Sequence, residues 1–468
     1  MTDRRDLGLR DLADVEAWFA RNTSYGGRIP PGPRRTDLEP LGSLLEEAGR
    51  PQEEYGRVQV VGSRGKGTTA SFLAQLLQGR GLKVGLFLSP HLVRLSERIQ
   101  VDGREIPGPR LAALLEEVLQ LPRAWEAGFF DLMTLAAALH FAREKVDLAV
   151  FEAGRGGETD STTALAAGLV LFTGLDRDHL DVLGESEEER ARVKAAALRP
   201  GGTMIAGLEI GTPPGAVALG MARFRGAAFL SLGRDFSFQG LEWGPGIREV
   251  RLQAPVLLGS GEERRLRIRT LAPFLDANAA LAGAAHLFLE REGLPPPPQG
   301  RPFRREGGPA VLEVPPGRFE VVRLEPPLIL DGAQSPRAFR ALLAAWRRTF
   351  GPGRPPQVLL ALGKDKDAPG VMAALREGGV REVALLQADS FRGRPAEELL
   401  REARRAGLEG RVLAGGAAAG RNLVLSSRAP WLVTGSFYLV GAFHSLGVGG
   451  INPPLPPGEK EGEEESGG

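Results

Sequence analysis

The feature that most constrains the fold is a strand, a glycine-rich turn and a helix in direct succession. Arg57–Val61 is apolar at alternate positions and mostly β-branched, which predicts a strand, and Thr69–Gln78 has helical spacing. Gly62–Thr69 (GSRGKGTT) lies between them. Such a turn directs successive backbone N–H groups at one anion, and the helix N-terminus adds partial positive charge. The segment therefore predicts a phosphate-binding loop.

The residue types within this loop suit binding of a nucleoside triphosphate. Lys66 would neutralise β/γ-phosphate charge, and the hydroxyl of Thr68 or Thr69 would face a metal ion. The spacing is not that of the usual P-loop, because Gly67 separates the lysine from the first threonine. From the loop alone, a glycine-rich turn capped by threonine stays open as an alternative. The predicted nucleotide contacts here are Gly62, Gly65, Lys66, Gly67, Thr68 and Thr69.

Strands alternate with helices through the first part of the chain. Two helices precede the first strand, the second around Asp37–Gly49. Ser186 and Glu189 have capping-box spacing and predict a helix that runs to Leu198. Further strands are predicted at Lys83–Leu88, Val146–Glu152 and Gly168–Thr173, with a helix at Asp131–Glu144. This order predicts an α/β fold with a P-loop-type, mostly parallel sheet covered on both faces.

A proline run at Pro295–Gln299 interrupts every periodic pattern and predicts a domain boundary near residue 297. Beyond it the alternation restarts, which predicts a smaller Rossmann-like α/β domain. The predicted units are an ATP-binding domain at 1–297, a C-terminal domain at 298–452 and a disordered Pro-, Gly- and Glu-rich tail at 453–468.

Composition excludes several classes of function. Lys and Arg total 59 and Asp and Glu total 58, so no polycationic surface for nucleic acid is indicated. The absence of cysteine excludes disulfides, thiolate metal sites and cysteine nucleophiles. The sequence contains no uninterrupted apolar run of eighteen residues, so no membrane span is predicted. The charged N-terminus does not fit a secretory signal. We therefore expect a cytoplasmic protein.

Three candidate metal ligands lie at or just beyond predicted strand ends, namely Ser89, Glu152 and His179. In α/β sheets ligands bind at the carboxyl ends of parallel strands. Oxygen and imidazole ligands beside a phosphate loop fit Mg²⁺ that bridges ATP oxygens. Each residue also has a structural interpretation: Ser89 as a turn residue, Glu152 as a strand-end cap and His179 as a surface group.

Several segments together resemble the folylpolyglutamate synthase/dihydrofolate synthase family of the Mur ligase superfamily. Their order and spacing agree with that family from about residue 38 to residue 447. Besides the phosphate loop, the matching segments are LSPHLVRLSERIQVDG at 88–103, FEAGRGGETD at 151–160, DHLDVLG at 178–184, PGRFEVV at 316–322, DGAQSP at 331–336, GKDKD at 363–367 and GSFYLVG at 435–441.

The resemblance implies an ATP-dependent amide ligase. ATP would phosphorylate the carboxylate of a folate or dihydropteroate, and the amine of L-glutamate would then attack the acyl phosphate. Lys66 and Thr68 would serve the triphosphate, and Ser89, Glu152 and His179 would hold two Mg²⁺ ions, with His179 also counted among the catalytic residues. Lys194, in ARVKAAALRPG, matches a catalytic lysine that the family carries carbamylated. Its structural alternative is a solvated helix lysine.

Further roles follow from the resemblance alone. Asn278 resembles the adenine-contacting asparagine, and Arg318 and Asp331 resemble the residues that close over ATP. Phe130 also has an interpretation as a core residue. The positions implied for substrate binding are Phe130, Asp160, Gln334, Ser335 and Ser436.

The chain departs from the family pattern near the nucleotide and the acceptor. Arg64 stands where the loop usually has asparagine, and Gln334-Ser335 replaces His-Asn. Glu158 replaces an arginine, Thr163 an asparagine, and Phe274-Leu275 a His-Gln pair.

These changes leave a ligase-inactive nucleotide-binding paralogue open as an alternative function. Another Mur-type ligase is the second alternative, although 56 residues before the first strand leave little room for a nucleotide-sugar domain. We expect a monomer that binds small molecules and neither nucleic acid nor membranes.

Overall fold

The structure is a computed structural model of the 468-residue chain and describes residues 7–23, 38–176, 186–293, 311–388 and 393–450. The predicted boundary near 297 and the predicted tail at 453–468 lie outside the described residues. Within the described ranges the chain forms three β-sheets and the helices that cover them. In this part of the chain no helix combines the length and apolarity needed to cross a bilayer.

The first sheet has eight strands and is parallel apart from one edge. Its strands are β1 Gly56–Val61, β2 Val84–Phe87, β3 Ile99–Val101, β4 Arg104–Glu105, β5 Leu148–Glu152, β6 Leu169–Phe172, β7 Thr203–Glu209 and β8 Ala228–Leu232. Their order is β4-β3-β2-β5-β1-β6-β7-β8, and β3 and β4 are antiparallel to their neighbours. The mostly parallel sheet predicted from the sequence is confirmed.

Helices cover both faces of this sheet, as predicted. They are α1 Leu12–Asn22, α2 Glu39–Glu47, α3 Lys66–Gly79, α4 Gly108–Val118, α5 Phe129–Arg143, α6 Glu187–Ala195, α7 Pro213–Phe224, α8 Pro255–Leu258 and α9 Asp276–Glu292. One apolar core joins α1, α2, α4 and α5 to the sheet, and a second lies around α3 and α9. The predicted capping box opens α6, where the Glu189 N–H donates to Ser186 Oγ over 3.1 Å.

A four-stranded second sheet lies against α9 and was not predicted. Its strands are β9 Ser237–Gly244, β10 Ile247–Gln253, β11 Glu263–Arg269 and β12 Val311–Glu313, in the order β12-β11-β10-β9. Leu252 and Leu266 face α9 at Gly283, where an added Cβ would lie 2.7 Å from Leu266 Cδ1. Glycine at that position therefore permits close packing of the helix on the sheet.

The third sheet forms a smaller C-terminal unit and confirms the predicted Rossmann-like α/β fold. Its strands are β13 Glu320–Leu324, β14 Pro327–Asp331, β15 Gln357–Leu360, β16 Glu382–Leu385, β17 Glu409–Val412 and β18 Trp431–Thr434. Their order is β13-β14-β18-β15-β16-β17, and only the β13–β14 pair among them is antiparallel. The helices of this unit are α10 Pro336–Phe350, α11 Ala368–Glu377, α12 Ala396–Arg405, α13 Gly416–Ser426 and α14 Phe437–Ser445.

Candidate active site

The predicted phosphate loop connects β1 to α3, and two of its glycines are required by geometry. Gly62 has φ +140°, and an added Cβ would lie 2.0 Å from Thr173 Oγ1. Gly65 has φ +78°, and an added Cβ would lie 2.1 Å from Asn278 Nδ2. A side chain at either position would meet both backbone strain and a steric clash. The loop conformation therefore depends on these glycines, as the sequence indicates.

Neighbouring segments hold the loop in place. The Ser63 N–H donates to the Gly174 carbonyl over 2.8 Å, and Thr173 Oγ1 donates to the Arg64 carbonyl over 2.6 Å. From α9, Asn278 Nδ2 donates to the Gly65 carbonyl over 3.2 Å and to Thr69 Oγ1 over 3.1 Å. Asn278 thus contacts the loop itself, and its predicted adenine contact stays a prediction.

Glu152 lies at the end of β5, directly beside the first turn of α3. Its side chain is buried, and Oε2 accepts a hydrogen bond from the Ser89 N–H over 2.8 Å. An added Cβ on Gly67 would lie 2.9 Å from the same oxygen. Burial raises the pKa of Glu152, and the positive charges of Lys66 and Arg318 oppose that rise. A carboxylate beside a phosphate-binding loop is a suitable ligand for a divalent cation that also binds phosphate oxygens.

Ser89, the second predicted metal ligand, is oriented by an arginine that sequence reasoning missed. Arg98 is buried, and its Nη1 donates to Ser89 Oγ over 3.2 Å while its Nε donates to His91 Nδ1 over 2.9 Å. Burial lowers the pKa of His91 to about 3, helped by the Arg98 charge, so the neutral imidazole accepts this bond. The guanidinium lies 5.1 Å from the Phe129 ring centroid. The sequence signal was weak, because Arg98 lies in a mixed polar and apolar segment, LSERI at 95–99.

His179, the third predicted ligand, lies outside the described residues. Among the residues that are described, no three His, Cys, Asp or Glu side chains converge in a group that could hold a metal ion. The structure therefore brings two of the three predicted ligands together, Ser89 and Glu152, through the hydrogen bond to the Ser89 backbone.

Lys194 is buried behind the phosphate loop and is not the solvated lysine of the structural alternative. Its side chain is 1% exposed. Its Nζ donates to the Gly62 carbonyl over 3.0 Å and to the Arg155 carbonyl over 2.7 Å. This primary amine therefore ties the phosphate loop to the loop that follows β5.

The side chains of Phe130, on α5, and Asp160, in the loop that follows β5, both lie close to Gly154. An added Cβ on Gly154 would lie 2.9 Å from Phe130 Cε1 and 3.4 Å from Asp160 Oδ2. The Asp160 carboxylate accepts bonds from the N–H groups of Arg155, Gly156 and Thr162 and from the Thr162 hydroxyl. Asp160 therefore holds the backbone of this loop in its conformation. Phe130 is half-buried, with its ring centroid 5.6 Å from that of Phe87.

The C-terminal unit supplies the facing wall of the cleft. Arg318 lies beside the first turn of α3, because Nη2 would be 3.4 Å from a Cβ on Gly67. Its guanidinium lies 4.7 Å from the Phe437 ring centroid. Asp331 accepts from the N–H groups of Phe319 and Ala333 over 2.8 and 2.7 Å, and burial raises its pKa to about 6. It thereby fixes the turn that carries Arg318.

Two predicted substrate-binding serines cap helices at this wall. Ser436 Oγ accepts from the Tyr438 N–H over 3.1 Å and opens α14, while Ser335 Oγ caps α10. Gln334 is half-buried beside Ser335. Of the predicted site residues, Glu152, Asn278 and Arg318 thus meet at the phosphate loop, whereas Lys194 is buried behind it.

Comparison with known proteins agrees with this architecture. Residues 317–435 match the family described as "Mur ligase, glutamate ligase domain". The dihydrofolate synthase/folylpolyglutamate synthase of Escherichia coli is 31% identical over 351 residues, which cover 73% of this chain and 75% of that protein. The chain belongs to the folylpolyglutamate synthase/dihydrofolate synthase family. The resemblance predicted from the sequence motifs is confirmed.

Solved structures of this family share both domains with the chain. A Mycobacterium tuberculosis folylpolyglutamate synthase complexed with ADP and AMPPCP superposes with a TM-score of 0.79 at 24% identity, covering 93% of this chain and 98% of that one. A bifunctional Yersinia pestis folylpolyglutamate synthase/dihydrofolate synthase with Mn, AMPPNP and L-glutamate bound has a TM-score of 0.73 at 25% identity, covering 93% and 98%.

Three departures from the family pattern have local structural roles. Thr163 Oγ1 donates to the Gly157 carbonyl over 2.8 Å and accepts from Gln59 Nε2 over 2.9 Å. Phe274-Leu275 joins the apolar core of the C-terminal unit, and the Phe274 ring centroid lies 6.3 Å from that of Phe319. Glu158 is exposed and lies 3.8 Å from Arg225. The polar pair of the folylpolyglutamate synthase pattern is thus replaced by apolar packing between the domains.

Proposed function

We propose that this protein joins L-glutamate through an amide bond to a folate, a dihydropteroate or both, with ATP as the phosphoryl donor and an acyl phosphate as intermediate. One observation carries the proposal. Lys66 and the buried Glu152 lie at the N-terminus of α3, and Arg318 of the glutamate ligase domain reaches the same turn. The cleft thus joins a phosphate-binding loop to the domain that its family uses for glutamate ligation.

The first chemical step is transfer of the γ-phosphoryl group to the acceptor carboxylate. A helix N-terminus leaves four backbone N–H groups without helical partners, so the start of α3 can bind phosphate oxygens. Lys66 and Arg318 would offset the negative charge that two reacting anions bring together. Burial raises the pKa of Glu152, and the positive charges of Lys66 and Arg318 oppose that rise, so these two cations favour the ionised carboxylate.

Two side chains beside the phosphate loop supply oxygen donors of the kind that bind magnesium. Carboxylate and hydroxyl oxygens are ligands that Mg²⁺ prefers, so Glu152 and Ser89 fit, and we propose His179 as the third ligand and two ions in total. Magnesium would neutralise phosphate charge and orient the transferring group. Arg98 would position Ser89, because its guanidinium donates to Ser89 Oγ.

The second step is attack of the glutamate amine on the acyl phosphate, with loss of phosphate. An acyl phosphate hydrolyses readily, so water must be excluded while the amine approaches. Asp331 would hold the Arg318 turn against the phosphate loop during this step.

A product assay tests the proposal. Purified protein is incubated with ATP, Mg²⁺, labelled L-glutamate and either dihydropteroate or a tetrahydrofolate, and the products are resolved by mass. We expect ADP and an acceptor extended by glutamate. The same assay separates dihydrofolate synthase from folylpolyglutamate synthase activity and counts the added glutamates. Nucleotide binding without a glutamylated product from any acceptor would favour the ligase-inactive paralogue instead.

We further propose that Lys194 is carbamylated in the working enzyme. Its amine is buried between the Gly62 and Arg155 carbonyls, where a carbamate would replace a cation by an anionic ligand next to the phosphate loop. Lys194→Ala should lose most of its ligase activity, about a hundredfold by analogy with the loss of one stabilising group. Small carboxylates such as formate should restore part of it.

The control for Lys194 is Lys83→Ala, which removes a partly exposed lysine paired with Glu144. That variant should keep nearly full activity. Isotopically labelled bicarbonate should give a carbamate NMR signal in the wild type and in Lys83→Ala but none in Lys194→Ala. Full activity in Lys194→Arg would contradict the proposal, because a guanidinium does not form this adduct.

A further inference from the structure

Two residues that depart from the family pattern meet on one carboxylate at the domain boundary. Arg64, in the phosphate loop, lies with Nη2 2.7 Å from Asp176 Oδ2. Ser335, at the N-cap of α10 in the C-terminal unit, donates its hydroxyl hydrogen bond to that same oxygen. Asp176 is 8% exposed and lies just beyond the end of β6. A charged, largely buried group thus joins the phosphate loop to the glutamate ligase domain.

The surrounding contacts make this link stiff on both sides. The Arg64 carbonyl accepts from Thr173 Oγ1 over 2.6 Å, so the loop backbone is fixed to the segment that carries Asp176. Across the boundary, Arg337 Nη1 donates to the Leu175 carbonyl over 3.3 Å. Ser335 itself accepts from the Ala338 N–H over 3.4 Å, which fixes its position on α10. A shift of the C-terminal domain would therefore break several bonds together.

We propose that Asp176 is a positioning residue that latches the C-terminal domain over the phosphate loop, with Arg64 and Ser335 as its matched partners. The proposal rests on the ligase function proposed above and adds a closure device to it. Charge-assisted hydrogen bonds are stronger than neutral ones, and a partly buried pair is less screened by salt than an exposed pair. The latch thus stabilises the closed cleft while its residues take no part in the chemistry.

Because Arg64 and Ser335 contact the same carboxylate oxygen, we expect that returning only one of them to the family residue would weaken the link. An asparagine at position 64 would remove the guanidinium that now lies 2.7 Å from Asp176 Oδ2. An asparagine at position 335 would replace the short hydroxyl that now reaches Asp176 Oδ2. Each single change should therefore weaken the same link, and residues that act through one partner show non-additive effects.

Asp176→Asn tests the latch with almost no change in side-chain shape. We expect ligase kcat to fall by about tenfold, as expected for one lost charge-assisted bond, with less than about a twofold change in the KM for ATP. The control is Glu242→Gln, which removes an exposed ion pair between β9 and Arg348 of α10. That pair also spans the boundary, but an exposed ion pair contributes little, so kcat should stay near the wild-type value.

Domain closure can be measured without turnover because the chain contains no cysteine. Labels on Ala216→Cys in α7 and Ala344→Cys in α10, both exposed helix positions, report the distance between the domains. With ATP and Mg²⁺ bound, Asp176→Asn should shift the energy-transfer distribution towards the open form, and Glu242→Gln should not. An unchanged distribution in Asp176→Asn, with thermal unfolding also unchanged, would overturn the latch.

A mutant cycle completes the test. Arg64→Asn and Ser335→Ala should each lower kcat and open the cleft, whereas Ser335→Ala added to Asp176→Asn should have almost no further effect. Fully additive effects would overturn the shared role of Asp176. If the wild type formed no glutamylated product, the ligase proposal would fail, and the energy-transfer result would still decide the latch separately.

Discussion

Glu152→Gln and Lys66→Ala are each expected to lower glutamate ligation by about a thousandfold, the upper range for loss of one electrostatic stabiliser. Glu152 is a buried carboxylate beside the first turn of α3, and the Lys66 charge acts directly on it. An amide at position 152 keeps the shape but removes an anionic metal ligand. Alanine at position 66 removes the cation that offsets phosphate charge during transfer. The fold should persist, since neither change opens a large apolar cavity.

The pair Lys83 and Glu144 provides matched controls for these variants. The two side chains form a peripheral ion pair of 2.9 Å on the first domain, with exposures of 23% and 40%. Lys83→Ala and Glu144→Gln should therefore keep nearly full activity. Initial rates are measured at saturating ATP and Mg²⁺, and circular dichroism checks the fold. Wild-type turnover in either site variant would remove Lys66 or Glu152 from the assigned machinery.

Local patterns in the sequence were sufficient to predict the loop and the two parallel sheets. The glycines at 62 and 65, the helix spacing after them and the capping box at Ser186 act over a few residues, so they can be read directly from the sequence. Strand ends could also be placed, which is why Ser89 and Glu152 were predicted to meet. The structure places them together through the Ser89 N–H.

Features that depend on distant pairing were not predictable in the same way. The second sheet was missed although Leu266 and Ile268 of β11 alternate with arginines, a local strand pattern. Its parallel pairing with β12, which follows the segment at 294–310, is a distant contact that no local pattern shows. The bond from Arg98 to His91 and the shared oxygen of Asp176 arise from tertiary packing. A departure such as Arg64 could be noticed in the sequence, but its partner could not.

The largest stability effect is expected at the pair Arg248 and Asp276. Arg248 Nε donates to Asp276 Oδ1 over 2.8 Å and Nη2 to Oδ2 over 2.6 Å, with exposures of 4% and 6%. Gly240 lies directly against this carboxylate, where an added Cβ would be 1.9 Å from Asp276 Oδ2. Removal of one partner from such a buried pair leaves an uncompensated charge and costs about 3–5 kcal/mol. Arg248→Met should therefore destabilise the protein by about that amount.

The pH dependence of this loss identifies its cause. Burial raises the pKa of Asp276, and the Arg248 hydrogen bonds and charge oppose that rise. Without Arg248 the folded-state pKa rises further above the unfolded value, so the folded state binds more protons at mildly acidic pH. Its stability then falls as pH rises through the interval between the two pKa values. The deficit of Arg248→Met should be greater at pH 8 than at pH 5 in denaturant titrations.

Two further variants decide whether the ion pair or its packing matters. Arg265→Met breaks a more exposed pair with Glu263 on the same sheet and should cost less than about 1 kcal/mol. Arg248→Met with Asp276→Leu removes both charges, and an apolar pair can replace a buried ion pair, so this variant should regain part of the stability. Equal losses in Arg248→Met and Arg265→Met would contradict the proposed role of the buried pair. Because α9 starts at Asp276 and carries Asn278 to the Gly65 carbonyl, ligase activity should follow the recovery of stability in the double variant.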